Sequence, residues 1–178
     1  MPRSSPSRHR SLPRDRADSP RAVAVYLLQL RPLLTEAIAL RRGLVRGIGR
    51  LLAAANEGHS LGVALAAGRV GGEHVGPFRQ VQRGIGRLAP PPSCARCHRA
   101  VVGWLEAQIA ACELLVEVRR SGALARLPET QWRLADGREQ GRRFNAEYAR
   151  LVADLRARVD AARRRRRHPG RPRALAAA

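Results

Sequence analysis

The sequence contains no lysine, so all 34 of its basic residues are arginines. Only 3% of the 178 residues are aromatic, and alanine, leucine and valine make up most of the apolar content. Strands favour aromatic and β-branched residues, whereas alanine and leucine favour helices. The composition therefore disfavours an all-β protein most strongly. An apolar fraction of 44% is ordinary for a globular chain and excludes a wholly disordered one.

The chain also lacks long apolar runs and has few cysteines. The best apolar stretch, Ala22 to Leu30, is followed at once by Arg31, which leaves it short of the ~18–20 residues that a bilayer span requires. The first 21 residues include Asp15 and Asp18 and do not follow the pattern of a signal peptide. Three cysteines, an odd number, fit a reducing compartment better than a disulfide framework. We therefore expect a cytoplasmic protein with no membrane span.

The formal net charge of +20 is unevenly distributed along the chain. Residues 163–178 hold seven arginines and no acidic residue, and residues 1–19 are rich in Arg, Ser and Pro. We expect both segments to be disordered, with a single helical domain at residues 20–162 between them. The tail arginines are the candidate phosphate contacts for nucleic acid or another polyanion. They are Arg163, Arg164, Arg165, Arg166, Arg167, Arg171 and Arg173. Two alternatives remain open: the charge reflects codon drift, or the run is a solvated helix end that complements the helix dipole.

Helical periodicity and breaker residues predict about four helices. The first begins after Ser19, kinks at Pro32 and stops near Asn56. Its predicted inner face is Val23, Leu27, Leu30, Leu34, Ile38, Val45, Ile48 and Leu52. The second begins near Ser60 and is expected to break at residues 71–76, because glycine disfavours helix, and to restart at Pro77.

The second half of the chain predicts two more helices. Ser93 is expected to cap the third, whose core face runs from His98 to Val116, and the fourth runs to about Arg167. Trp104 and Trp132 are expected in the core or at a partner interface. Short connections favour antiparallel neighbours, so the predicted fold is an all-α, up-and-down helical bundle.

The segment Cys94-Ala95-Arg96-Cys97-His98 resembles the CxxCH motif of c-type cytochromes. That resemblance implies haem attachment at Cys94 and Cys97, with His98 as an iron ligand. The only methionine is Met1, so none is placed to serve as a second axial ligand. The same two cysteines have the spacing of a zinc-binding pair. The simpler interpretation, that these are interior helix residues with no cofactor, is the one we favour.

The hexamer Arg-Gly-Ile-Gly-Arg-Leu occurs at residues 46–51 and again at residues 83–88. In the first copy, Gly47, Ile48, Gly49 and Ala53 resemble the turn of helix-hairpin-helix DNA-binding proteins. That resemblance implies that backbone amides near Gly47 and Gly49 contact a DNA phosphate. The alternative is that the two glycines allow close helix approach within one long helix.

No arrangement of nucleophile, base and acid suggests an enzyme. The sequence therefore predicts a non-enzymatic binding or scaffold protein that uses its Arg-rich ends to contact nucleic acid or another polyanion. A protein partner or self-association is a further alternative.

Overall fold

The computed structural model describes residues 18–56 and 60–167, and within these residues it contains helices and no strands. The helices are α1 (Pro20–Asn56), α2 (Ser60–Gly86), α3 (Ala95–Ser121) and α4 (Leu127–Arg167). Single 3-10 turns at Pro92–Cys94 and Leu124–Arg126 precede α3 and α4. The predicted all-α helical bundle is confirmed. The leader up to residue 17 and the tail from residue 168 lie outside the described residues, and Arg171 and Arg173 with them.

Local signals account for several helix ends. The amide of Ala22 donates a hydrogen bond to Oγ of Ser19 at 3.2 Å, which makes Ser19 the expected N-cap of α1. Gly122 ends α3 with a φ of 70°, a left-handed conformation that favours glycine. The expected Ser93 cap is wrong: Cys94 occupies the N-cap position, with no side-chain cap. The Ser93 amide donates instead to Oδ1 of Asp18 at 3.0 Å, so it ties the start of α3 to the start of α1.

The expected break in α2 is also wrong, because α2 runs without interruption from Ser60 to Gly86. Gly71 is buried, and a Cβ built on it would meet the carbonyl oxygen of Cys112 in α3. Close packing of α2 on α3 therefore outweighs the low helix propensity of the glycines. Helix α1 likewise continues through Pro32, with no break. A proline frees the carbonyl four residues earlier, which belongs here to the exposed residue Leu28 and is open to water.

Helix α3 is the centre of the bundle. It packs extensively on both α2 and α4, while α1 packs mainly on α2 and touches α4 little. Its buried side chains include Cys97, Leu105, Ile109 and Leu114, which occupy more than one helical face. Val116, expected on the core face, lies against Gly71 of α2 at the edge of the core and is 38% exposed. Trp104 is buried, whereas Trp132 is 68% exposed and is not part of the core.

The buried face of α1 differs from the predicted one. The core positions recur every seven residues, at Val23, Leu30, Ala37, Leu44 and Leu51. Ile38, Val45 and Leu52, each one position later, were predicted to be buried and are 46%, 50% and 51% exposed. Because α1 is covered by α2 alone over most of its length, the buried arc is narrower than the apolar arc of the sequence.

Among the described residues, α1 is the one helix long and apolar enough to cross a membrane, with a mean hydropathy of 1.4 in its most apolar 18-residue window. Core helices of proteins that never enter a membrane have the same length and composition. Here the seven-residue series of α1 contributes to the core, which is consistent with the expected absence of a membrane span.

Candidate functional site

The structure places the CxxCH segment in the interior of the bundle. Cys94 ends the turn before α3, and Cys97 and His98 lie in its first helical turns. Cys94, Cys97 and Cys112 are all buried, and none of them forms a disulfide bond. Burial raises the pKa of Cys94, and it raises those of Cys97 and Cys112 to about 12. These thiols are therefore protonated at neutral pH and act as small apolar side chains within the core.

His98 has a partner other than a metal. Its Nδ1 lies 3.1 Å from the hydroxyl oxygen of Tyr26 in α1, within hydrogen-bonding distance. Burial lowers the pKa of His98, so the neutral ring is favoured. Within residues 18–56 and 60–167, no three His, Cys, Asp or Glu side chains come close enough to hold a metal ion. The arrangement fits interior packing better than a haem or zinc site.

The two glycines of the first hexamer lie in the middle of α1. No turn interrupts the helix at residues 46–51, and Gly122 is the one glycine with positive φ among the described residues. Gly47 is buried, and a Cβ built there would lie 2.9 Å from Cγ1 of Val70 in α2. Gly49 is exposed and has no neighbour within 4 Å of its Cβ position. This geometry matches close helix approach at Gly47 and lacks the turn that a DNA-binding hairpin requires.

The run of arginines continues α4 rather than following it. The backbone from Arg163 to Arg167 is helical, so the first five residues of the predicted disordered tail belong to the last helix. Between Arg156 and Arg164 every described side chain is exposed except Ala161, which is half-buried. We call residues 156–167 the α4 arm. It carries seven arginines against one aspartate, a formal charge of +6.

A second basic surface, which the sequence did not predict, lies between α1 and α4. Here the two helices leave a groove of about 490 Å³, which we call the α1–α4 groove. Its apolar lining is Leu34 and Ile38 of α1, Trp104 of α3 and Phe144 of α4. Its charged lining is Arg41 and Arg42 of α1 with Arg138 and Arg142 of α4, and no acidic residue lines it.

Two glycines of α4 shape this groove differently. Gly137 packs tightly on α3, because a Cβ there would lie 2.5 Å from Nε2 of Gln108 and 3.3 Å from Cβ of Ala107. At Gly141 the nearest atom to a Cβ would be Cδ1 of Trp104, at 3.6 Å. The absence of a side chain at Gly141 therefore leaves the edge of the Trp104 indole ring accessible from the groove.

Three of the four groove arginines have no carboxylate close to them. Arg142 pairs with Glu139 at 2.6 Å, whereas Arg41, Arg42 and Arg138 take part in none of the ion pairs of the described chain. The sequence held one signal for the groove. Apolar positions at Ile38, Val45 and Leu52 form a second seven-residue series beside the core series of α1.

Comparison with known proteins identifies no relative. No family matches the chain, and neither the curated proteins nor the solved structures include a similar one.

Proposed function

We propose that this protein is a non-enzymatic helical binding protein that contacts nucleic acid through the α4 arm. The observation that carries the proposal is the exposure of residues 156–164, where only Ala161 is half-buried, together with the formal charge of +6 on the arm. The described part of α4 runs to Arg167, and the sequence adds Arg171 and Arg173 after it.

An exposed basic helix suits a nucleic-acid duplex for two physical reasons. Its diameter of ~10–12 Å is comparable to the ~12 Å width of the major groove of B-DNA. Arginines that replace condensed cations on the phosphates release those cations, which favours binding without sequence preference. The guanidinium group also holds phosphate oxygens with two parallel hydrogen bonds.

The experiment compares two variants that lose the same charge. In the arm variant, Arg163, Arg164, Arg165, Arg166 and Arg167 become Gln, which preserves helix propensity. In the control variant, five exposed arginines of α1, of α2 and of the turn directly after α2 become Gln. They are Arg46, Arg50, Arg69, Arg83 and Arg87.

Binding of a fluorescein-labelled DNA duplex is measured by anisotropy at several salt concentrations for the full chain and both variants. Each phosphate contact that is lost lowers the slope of log affinity against log salt by ~0.9, so we expect the arm variant to lose several units of slope. The control variant should keep most of the wild-type slope, because none of its arginines belongs to α4.

Equal losses in the two variants would show that net charge alone drives binding and would overturn the proposal. A loss confined to the control variant would also overturn it. Because four of its five arginines belong to the two hexamers, that result would point instead to those segments.

A further inference from the structure

The α1–α4 groove combines an apolar floor with a basic rim. Trp104, Leu34 and Phe144 form its interior, and arginines stand on both the α1 and the α4 side. Arg138 and Arg142 are four residues apart and so lie on one face of α4, where like charges disfavour each other. Such a surface favours a ligand that is apolar along one face and negatively charged along its flanks.

The apolar surface continues beyond the groove along α1. Ile38 lines the groove, and Val45 and Leu52 follow it at intervals of seven residues on the same side of the helix. From Leu34 to Leu52 this stripe is ~27 Å long at 1.5 Å per residue. An extended stripe of regularly spaced apolar side chains matches a helix of similar length rather than a compact small molecule.

The positive charge of the groove indicates which kind of helix would bind there. A second copy of this chain would bring another net +20 to an already basic rim. The leader and the tail of the same chain are both arginine-rich, so they suit the rim no better. Opposite charge on the partner would instead favour association and orient it, because complementary potentials promote the correct encounter.

We propose that the α1–α4 groove is a docking site for an acidic amphipathic helix of a partner protein. The apolar face of that helix packs on Leu34, Ile38 and Trp104, and its carboxylates pair with the arginines of the rim. This surface is separate from the α4 arm, so the protein would hold a protein partner and nucleic acid at the same time.

The fluorescence of Trp104 can report on binding in the groove. The chain has two tryptophans, and Trp132 is exposed outside the groove lining. In a full-length Trp132→Phe protein, the fluorescence of Trp104 reports on the groove alone. The probe is a set of synthetic helical peptides of about 18 residues, matching the ~27 Å stripe, with leucines along one face and glutamates on the flanks. Peptides of the same composition in scrambled order are the reference.

Two variants and their matched controls test the apolar floor and the rim. Ile38→Asp places a charge in the groove, and Val25→Asp is its control, because both side chains are 46% exposed on α1 and Val25 lies outside the groove lining. The double variant Arg41→Glu, Arg138→Glu cancels the formal charge of the rim, because Arg42 and Arg142 remain. Its control is Arg69→Glu, Arg83→Glu, which makes the same charge change at exposed positions of α2, away from the groove lining and from the apolar stripe of α1.

We expect the amphipathic peptides to shift Trp104 emission and to bind more tightly than the scrambled ones. Ile38→Asp should weaken binding by about tenfold or more, as for the loss of one buried anchor, with little change for Val25→Asp. The variant with the cancelled rim charge should bind the acidic peptides more weakly and lose the preference for them over peptides with lysine in place of glutamate. The arm variant should bind the acidic peptides as well as the wild type, which separates this test from that of the proposed function.

Three results would overturn the proposal. One is that no peptide of the set binds, and another is that scrambled peptides bind equally well. The third is that Ile38→Asp weakens binding of a DNA duplex or of phosphatidylserine vesicles rather than of the peptides. That outcome would assign the groove to a different class of partner.

Discussion

His98 shows how one side chain of a recognisable motif takes a structural role. Its ring lies against Tyr26 of α1, with Nδ1 and the phenol oxygen 3.1 Å apart. Burial lowers the pKa of His98 and raises that of Tyr26, so both groups are held in their neutral forms. The pair links α3 to α1 across the end of the bundle where Ser93 also binds Asp18.

This arrangement predicts a pH dependence of stability. The folded pKa of His98 lies below its ordinary value of ~6.5, so on acidification the unfolded chain takes up this proton first. The contribution of His98 to the unfolding free energy is therefore complete above about pH 6.5 and declines as the pH falls below it. Urea unfolding between about pH 5 and 7.5 should show a smaller decline for His98→Gln than for the wild type.

Tyr26→Phe is the control for this prediction. It removes the hydrogen bond and leaves His98 in place, so the decline toward low pH should persist in that variant. Identical pH profiles for the wild type and His98→Gln would contradict the assignment.

At the scale of the elements, the contact between α2 and α3 explains why a glycine-rich segment forms an unbroken helix. Gly68 and Gly71 lie one turn apart on α2 and are both buried. The stem of Arg119 crosses the first, and the backbone of α3 at Cys112 approaches the second. Side chains at these positions would hold the two helices apart. The closer packing that the glycines allow therefore offsets the free energy that they cost as poor helix formers.

Two neighbouring glycines of α2 provide a matched test. Gly71→Ala would place a Cβ against a backbone carbonyl that does not move independently of α3, so it should lower the free energy of unfolding by ~1–3 kcal/mol. Gly72 is exposed with nothing within 4 Å, and Gly72→Ala should raise that free energy by up to ~1 kcal/mol. Urea denaturation of the two variants beside the wild type measures both effects. Shifts of the same sign would show that the α2–α3 approach is not what requires glycine at residue 71.

At the scale of the whole molecule, the net charge of +20 acts against the compact state. The seven ion pairs among the described residues all involve substantially exposed side chains. Exposed pairs contribute only ~0–1 kcal/mol each, so they offset the repulsion in part. The repulsion is expected to weaken when salt screens it.

We therefore expect the protein to become more stable when NaCl rises from about 0.01 M to about 0.15 M, since the Debye length falls from ~30 Å to ~8 Å. Thermal unfolding should shift upward by ~2–4 °C for each kcal/mol of repulsion that is removed. The control variant, which lacks Arg46, Arg50, Arg69, Arg83 and Arg87, should show a smaller shift because it begins with less charge. A midpoint that falls with salt would mean that the ion pairs outweigh the repulsion.

The sequence by itself determined the fold class and several of the helix ends. These depend on interactions within a few residues: the Ser19 cap, the stop at Asn56 and the glycine after Ser121. It also located the charge of the tail. Whether that charge binds nucleic acid stays a prediction.

Tertiary structure decided which apolar residues are buried and where the arginines meet. Ile38 and Ala37 are adjacent in an apolar helix, yet only Ala37 faces α2, because the position of the neighbouring helix sets the buried arc. Tertiary structure also kept α2 continuous. Gly71 packs closely on the backbone at Cys112 in α3, a segment that is distant in the sequence. Helix packing also brought Arg41 of α1 and Arg138 of α4 to one groove. Residues nearly a hundred positions apart show no common pattern along the chain, because their proximity arises only when the helices pack.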